Sequence, residues 1–246
     1  HNYWFKQNDL DYFYEKRQIK KEDLESVIET LRSGEVDGIN VTLPFKQAVI
    51  PLIDELTPLA KKAQSVNTIL KKKNIIIGDN TDINGFKLAL EHIKYKAKGK
   101  KAFILGAGGV SPSIIIALEK LGIKHIAISN RTISKAENLK KIYPALEIIE
   151  WGKSVDFDIA INATSLGLDK EDSINIDIVK NGSKKLFYDV IYNPEKTKFL
   201  VRGEEKKNEI ENGKMMFIYQ AQLSFEIWHG FRPKIDNKII NLFNYD

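Results

Sequence analysis

From Lys101 onward the chain alternates short apolar runs with helix-length segments, and this alternation constrains its fold more than any other feature. Lys101–Leu105 reads as a strand, Pro112–Leu121 as a helix, His125–Ser129 as a strand and Lys135–Ile142 as a helix. Further strands are expected at Ile148–Trp151, Ile159–Asn162 and Lys185–Val190. Strands joined through helices cannot pair as hairpins, so they require a parallel sheet with crossover helices. The expectation is therefore an α/β, Rossmann-like unit.

The first third has a different pattern. Asp23–Leu31 predicts a helix, with Leu24, Val27, Ile28 and Leu31 on one face and Gly34 beyond its end. Gly38–Leu43 reads as a buried strand ended by Pro44, and Phe45–Ile53 as a new helix. Ala60–Gln64 predicts a helical turn. Ser65–Leu70 and Ile75–Gly78 predict a β-hairpin across the polar turn Lys71–Asn74. Gly85–His92 reads as a helix. Met215–His229 predicts a long last helix, with Met216, Tyr219, Leu223 and Ile227 recurring at helical spacing. Boundaries are expected near Asn84 and near Asn212–Gly213. They give an αβ unit over 1–84, a Rossmann-like unit over 85–212, and a final segment, 213–246, that returns to the first unit and leaves a cleft.

Composition removes several classes of function. There are no cysteines, so disulfides and thiolate metal sites are excluded. This fits a reducing, cytoplasmic setting. His1, His92, His125 and His229 show no metal-ligand spacing, and no metal is expected. The net charge of +5 is dispersed along the chain, which argues against nucleic acid and suits an anionic small molecule. The longest stretch without formal charge, Ala102–Leu118, is shorter than the ~20 residues of a typical membrane span and contains a proline and three glycines. No membrane partner is expected. Position 1 is His rather than Met, so the sequence is expected to continue upstream.

Gly106, Ala107, Gly108 and Gly109 lie between the first strand of the alternating region and its helix. A dinucleotide fingerprint requires that context: glycines allow a tight turn and a close backbone approach to pyrophosphate, and the helix N-terminus favours its charge. Ser111 stands where the third glycine of G-x-G-x-x-G would be. A ligand-free glycine turn would share part of this pattern. At the end of the next strand, where an NAD site places an acid, the sequence reads Ser129–Asn130–Arg131–Thr132, with Lys135 a turn later. A carboxylate would repel a 2′-phosphate, whereas guanidinium and ammonium groups attract it, so NADP is expected rather than NAD.

Asn40–Lys46 (NVTLPFK) and Gly78–Asp82 (GDNTD) place Lys46 and Asp82 among short polar residues: Asn40, Thr42, Asn67, Thr68, Asn80 and Thr81. A carbonyl reductase must protonate and stabilise a developing alkoxide, and a lysine aimed by an aspartate can do both. Taken singly, Lys46 could be a surface lysine and Asp82 a helix N-cap.

The chain resembles the shikimate dehydrogenase family in the initial HN, GINVTLPFK, SVNT, GDNTDINGF, ILGAGGVS, SNRT, INATSLG, YDVIYNP and YQAQLSFEIWHG, in the family's order along nearly the whole sequence. The resemblance implies two domains with the active site between them, and NADPH-dependent reduction of 3-dehydroshikimate to shikimate in aromatic amino-acid biosynthesis. It implies that Lys46 and Asp82 are the catalytic pair, and that Thr42, Asn67, Tyr192 and Gln220 contact the substrate. The glycine turn would seat the pyrophosphate, and Asn130, Arg131, Thr132 and Lys135 the adenosine phosphate. Ala163, Thr164 and Ser165 would line the cofactor, with Gly213 near the nicotinamide. A small-molecule substrate and a monomer or homodimer are expected.

Three departures from the family are visible. Its Ser-x-Ser-Pro segment, whose serines hydrogen-bond the substrate carboxylate, precedes the HN pair and is not part of this sequence. A molecule lacking it would bind substrate weakly and lose a strand of its first sheet. Leu168 replaces a methionine common after the ATS-x-G motif. Ile83–Asn84–Gly85 follows Asp82 where glycine often comes first. Two alternatives stay open: a quinate/shikimate dehydrogenase using NAD or another cyclic polyol, and a non-catalytic ligand-sensing relative.

Overall fold

The computed structural model describes residues 1–169, 171–174 and 183–243. The chain opens with helix α1 (Asn2–Gln7), followed by α2 (Leu24–Ser33) and strand β1 (Gly38–Asn40). Next come β2 (Glu55–Leu56), α3 (Pro58–Ala63), β3 (Thr68–Lys72), β4 (Ile75–Asp79) and α4 (Asp82–His92). The alternating region supplies β5 (Lys101–Leu105), α5 (Ser111–Lys120), β6 (His125–Ser129), α6 (Ile133–Ile142), β7 (Glu147–Ile149), β8 (Ile159–Asn162) and β9 (Leu186–Asp189). Then follow α7 (Lys198–Glu205), β10 (Glu209–Glu211), α8 (Lys214–His229) and α9 (Asn237–Asn241).

Two sheets result. The first has the order β1-β3-β4-β2, with β3 and β4 antiparallel as the hairpin pattern predicts. The second has the order β10-β9-β8-β5-β6-β7, parallel throughout its described pairs. Order reverses around β5: the chain runs outward through β6 and β7, then returns to β8 on the other flank. That topological switch lies at the carboxyl ends of β5 and β8, the place where open α/β sheets hold ligands. Both faces of the sheet are covered, which accounts for the buried runs Ala102–Leu105 and Ile159–Asn162.

The segment Phe45–Ile53 does not form the expected helix. It is a series of turns ending in a 3-10 turn at Ile50–Leu52. Pro51 has no amide N–H to donate back, and Val49 and Ile50 are β-branched. The turns instead pin Lys46, whose backbone carbonyl accepts the Val66 N–H at 2.8 Å. The expected strand at Gly38–Leu43 stops at Asn40. Strand β10 and the short α1 and α9 are too brief to stand out by periodicity, whereas α7 is amphipathic and buries Phe199, Leu200 and Gly203.

Asn84 falls in the first turn of α4, so the passage from one sheet to the other runs through a helix rather than a linker. Helix α8 packs along α4 and returns to the first sheet, where Trp228 Nε1 donates to the Ile69 carbonyl at 3.0 Å. Its fully covered positions are Met215, Met216, Ile218, Ala221, Gln222, Ser224 and Phe225, whereas Tyr219, Leu223 and Ile227 are half-buried. The expected apolar stripe is thus displaced, because α4 and the ring cluster of Trp4 and Phe225 cover the helix from two sides.

Candidate active site

Lys46 and Asp82 meet. Lys46 Nζ donates to Asp82 Oδ2 at 2.6 Å, with side-chain exposures of 13% and 6%. Asp82 is the first residue of α4 rather than its cap, where a carboxylate also faces the positive end of the helix dipole. Its other oxygen accepts from Asn67 Nδ2 at 3.0 Å. The Asn67 amide also donates to Thr81 Oγ1 at 2.9 Å and to Gln220 Oε1 at 3.3 Å, and its oxygen accepts the Thr81 N–H at 2.8 Å. Four of the expected residues are thus one bonded group: Lys46, Asp82, Asn67 and Gln220. The carboxylate is satisfied on both oxygens, and the ammonium keeps two further donors.

Thr42 and Tyr192 sit outside that group. Thr42 is exposed, and its carbonyl accepts the Phe45 N–H at 2.9 Å, shaping the turn into Lys46. Tyr192 packs against Phe217, with the rings tilted and their centroids 4.7 Å apart. Phe217 is one turn before Gln220, whose Nε2 donates to the Phe217 carbonyl at 2.9 Å.

The glycine turn faces Lys46. A side-chain carbon built at Gly109 would lie 3.9 Å from Lys46 Cβ and 3.7 Å from Leu43 Cδ2. Ser65 Oγ donates to the Gly109 carbonyl at 3.1 Å, and Ser113 Oγ to Asn80 Oδ1 at 3.2 Å, tying the turn and α5 to the residues around Asp82. Gly106 has φ +109°, and a Cβ there would come within 2.9 Å of the Ala163 backbone and Thr164 Cγ2. Only glycine suits both demands. Ser111, in the place of the third glycine, is fully buried. Its hydroxyl accepts the Gly108 N–H at 3.1 Å and donates to the Gly106 carbonyl at 2.9 Å, so it closes the turn from inside.

Asn130 belongs to the same turn: Oδ1 accepts the Ala107 N–H at 2.9 Å and Nδ2 donates to the Thr132 carbonyl at 2.7 Å. Arg131, Thr132 and Lys135 are exposed at this corner, with no carboxylate among Ser129–Lys135. These residues fit a dinucleotide carrying an extra phosphate: an open glycine turn at a helix N-terminus, and exposed cations beside it. Gly213 lies apart from the turn, at the N-terminus of α8, and its N–H donates to the Ile191 carbonyl at 3.0 Å.

Two family descriptions match the sequence: "Shikimate dehydrogenase substrate binding domain" over residues 1–69 and "Shikimate / quinate 5-dehydrogenase" over residues 87–190. The shikimate dehydrogenase (NADP+) of Pelagibacter ubique is 52% identical over 244 residues, covering 99% of this chain and 92% of its own. The chain belongs to the shikimate dehydrogenase family. A Thermus thermophilus shikimate 5-dehydrogenase solved with NADP(H) and shikimate superposes with TM-score 0.86 at 28% identity, covering 99% of this chain and 91% of that one. The 5-ketofructose reductase of a Gluconobacter strain superposes with TM-score 0.87 at 29% identity, over 98% and 90% of the two chains.

Several residues around the site had no role in the sequence reading. Ser224, one turn after Gln220 and on its face, lies 2.7 Å from Thr68 Oγ1 and 3.2 Å from Thr81 Oγ1, accepts from Asn40 Nδ2 at 3.1 Å, and donates to the Gln220 carbonyl at 3.0 Å. Its spacing from Gln220 was the available signal. Asp189, in the YDVIYNP motif, is fully buried, and among the described residues no cation pairs with it. Burial pushes its pKa from 3.8 up to about 6, against the opposing hydrogen bonds from Thr197, Ile191 and Asn162. The native state thus holds this proton more tightly than the unfolded chain, and the group's penalty on stability grows as pH rises from about 4 to about 6. Asp189→Asn should therefore gain stability relative to the unsubstituted chain between pH 4 and pH 7, by about 3 kcal/mol from the size of the shift. Urea unfolding at the two pH values measures it; a pH-independent difference contradicts the buried, protonatable carboxyl.

Proposed function

We propose that this chain catalyses the reversible, NADPH-dependent reduction of the 3-keto group of 3-dehydroshikimate to shikimate. The observation that carries the reading is the 2.6 Å Lys46–Asp82 pair lying against the glycine turn at Gly109. Family membership supports the substrate class, and the cationic Arg131–Lys135 corner supports the cofactor.

NADPH, when bound, supplies the hydride. The chain's own residues do the rest. Lys46 turns a free ammonium N–H toward the substrate oxygen and stabilises the charge that develops there, and the Lys46–Asp82 pair delivers the proton. Asp82 holds the ammonium charged and aimed. Asn67 fixes Asp82 from behind and is itself held by Gln220; these two with Thr42 and Tyr192 are the residues that contact the substrate in this reading. Gly106, Ala107, Gly108 and Gly109 seat the pyrophosphate. Asn130, Arg131, Thr132 and Lys135 hold the adenosine phosphate, and Thr164 and Gly213 flank the nicotinamide half. This reading divides the chain into a substrate-binding unit, 1–84 with 213–246, and an NADP-binding unit, 85–212. It takes the protein as a cytoplasmic monomer or homodimer, in keeping with a sequence free of cysteine.

Steady-state rates with shikimate, quinate and 5-ketofructose, each under NADP and NAD cofactors, test the assignment. Shikimate with NADP+ is expected to give the highest kcat/KM; a preference for another pair refutes it. Arg131→Ala is expected to raise KM for NADP+ by about 10- to 100-fold, the scale of a lost charge-assisted hydrogen bond, while NAD+ stays within about twofold. Equal losses for both cofactors would remove Arg131 from the 2′-phosphate site.

A further inference from the structure

Asn162 and Asp189 end adjacent parallel strands at the same register position. Both are fully buried. Asn162 Nδ2 donates to both carboxylate oxygens of Asp189 at 3.0 Å. The rest of the Asn162 amide is spent on the loop after β8: Nδ2 also donates to the Leu166 carbonyl at 3.0 Å, and Oδ1 accepts the Thr164 N–H at 3.0 Å and its hydroxyl at 2.6 Å. Thr164 is the residue that packs on the glycine turn at Gly106.

Asp189 reaches the other way as well. Its carboxylate accepts the Ile191 N–H at 3.0 Å and the Thr197 hydroxyl at 2.6 Å, fixing the loop after β9. In that loop the Ile191 carbonyl receives the Gly213 N–H, and Tyr192 follows. One carboxylate therefore joins the Thr164 loop to the loop that carries Tyr192 and holds Gly213. It touches neither ligand site itself.

We propose that Asp189 is a positioning residue that sets the spacing of these two loops and thereby the seat of the nicotinamide half of the cofactor. The inference rests on the NADP-dependent reading above and adds a residue to which that reading gives no role. A buried carboxylate is suited to the task because it only accepts: three converging donor groups fix both loops to it at once, and it cannot exchange roles with the Asn162 amide. Asp189→Asn is isosteric, but its amide N–H groups oppose the Asn162 donors. The one oxygen that remains can still meet the Asn162 amide, but either the Ile191 N–H or the Thr197 hydroxyl loses its acceptor, and the tie between the two loops is weakened.

Titration calorimetry of the purified chain with NADP+ and with 2′-phospho-ADP-ribose, which lacks the nicotinamide, separates this role from general support. For Asp189→Asn the NADP+ Kd is expected to rise about tenfold, while the fragment's Kd stays within about twofold. Leu186→Ala, at the other end of β9, buried and without a polar link to the loops, serves as the control. It is expected to lower Tm while leaving the ratio of the two Kd values unchanged. The proposal is overturned if Asp189→Asn leaves that ratio as in the unsubstituted chain, or if Leu186→Ala shifts it equally. If the unsubstituted chain binds neither ligand, the function reading fails and the inference falls with it.

Discussion

Asp82→Asn and Lys46→Met are each expected to lower kcat for shikimate oxidation by at least about 10²-fold, the scale of a positioned acid–base group. The two act by different routes. Asp82→Asn keeps an acceptor for the Asn67 amide but removes the charge that aims Lys46 Nζ over 2.6 Å. Lys46→Met keeps much of the stem and removes the ammonium, leaving the 6%-exposed Asp82 carboxylate without its cation. Breaking a buried ion pair from one side typically costs about 3–5 kcal/mol of stability. Lys46→Met should therefore also melt earlier, and Asp82→Asn much less so. Because the pair works as one unit, the double variant should be little worse than the slower single variant. Stopped-time assays at saturating cofactor, with melting curves alongside, provide the check. A folded variant of either residue keeping more than a tenth of the activity would show that the pair does not move the proton.

Gly213→Ala is expected to be the most damaging small change in stability. The backbone there is ordinary, φ −75° and ψ 0°, so alanine meets no conformational objection. The difficulty is space: a Cβ would stand 2.0 Å from the Val190 carbonyl oxygen and 2.5 Å from its carbon. Both are main-chain atoms at the end of β9, and the Gly213 N–H is committed to Ile191 next door, so neither strand nor helix can yield alone. Overpacking of this kind costs about 3 kcal/mol or more. For a chain of this size that lowers Tm by about 6–12 °C. A melting point within 2 °C of the unsubstituted protein would mean that the helix start shifts freely.

The sequence showed best what depends on local pattern. The alternation after Lys101 defines the parallel sheet because doubly covered strands must be apolar on both faces, and strands β5, β6 and β8 begin and end where periodicity places them. Phe45–Ile53 misleads because its apolar spacing imitates a helix, while Pro51 and the bond from Val66 to the Lys46 carbonyl impose turns. The pairing of Lys46 with Asp82 was legible from their unusual polar settings, although 36 residues separate them. Asp189 was not assigned because its bond to Asn162, far off in sequence, leaves no periodic trace, and Ser224, although one turn from Gln220, meets Thr68 and Thr81 only in the fold. Only the register of β8 against β9, and the crossing of α8 over β3, make such residues visible.

Helix α8 acts as a caliper. Gly213 abuts the end of β9 just before its first turn, Gln220 joins the Asn67 amide about 10 Å further along its axis, and Trp228 is tied to β3 near its far end. The distance from the end of β9 to the Asn67 amide is thereby gauged by a stiff rod of 16 residues rather than by pliant loops. Insertion of a single residue between Gly213 and Gln220 would swing the glutamine by about 100° around the axis. Length in that one element should accordingly tolerate less variation than any surface loop of the molecule.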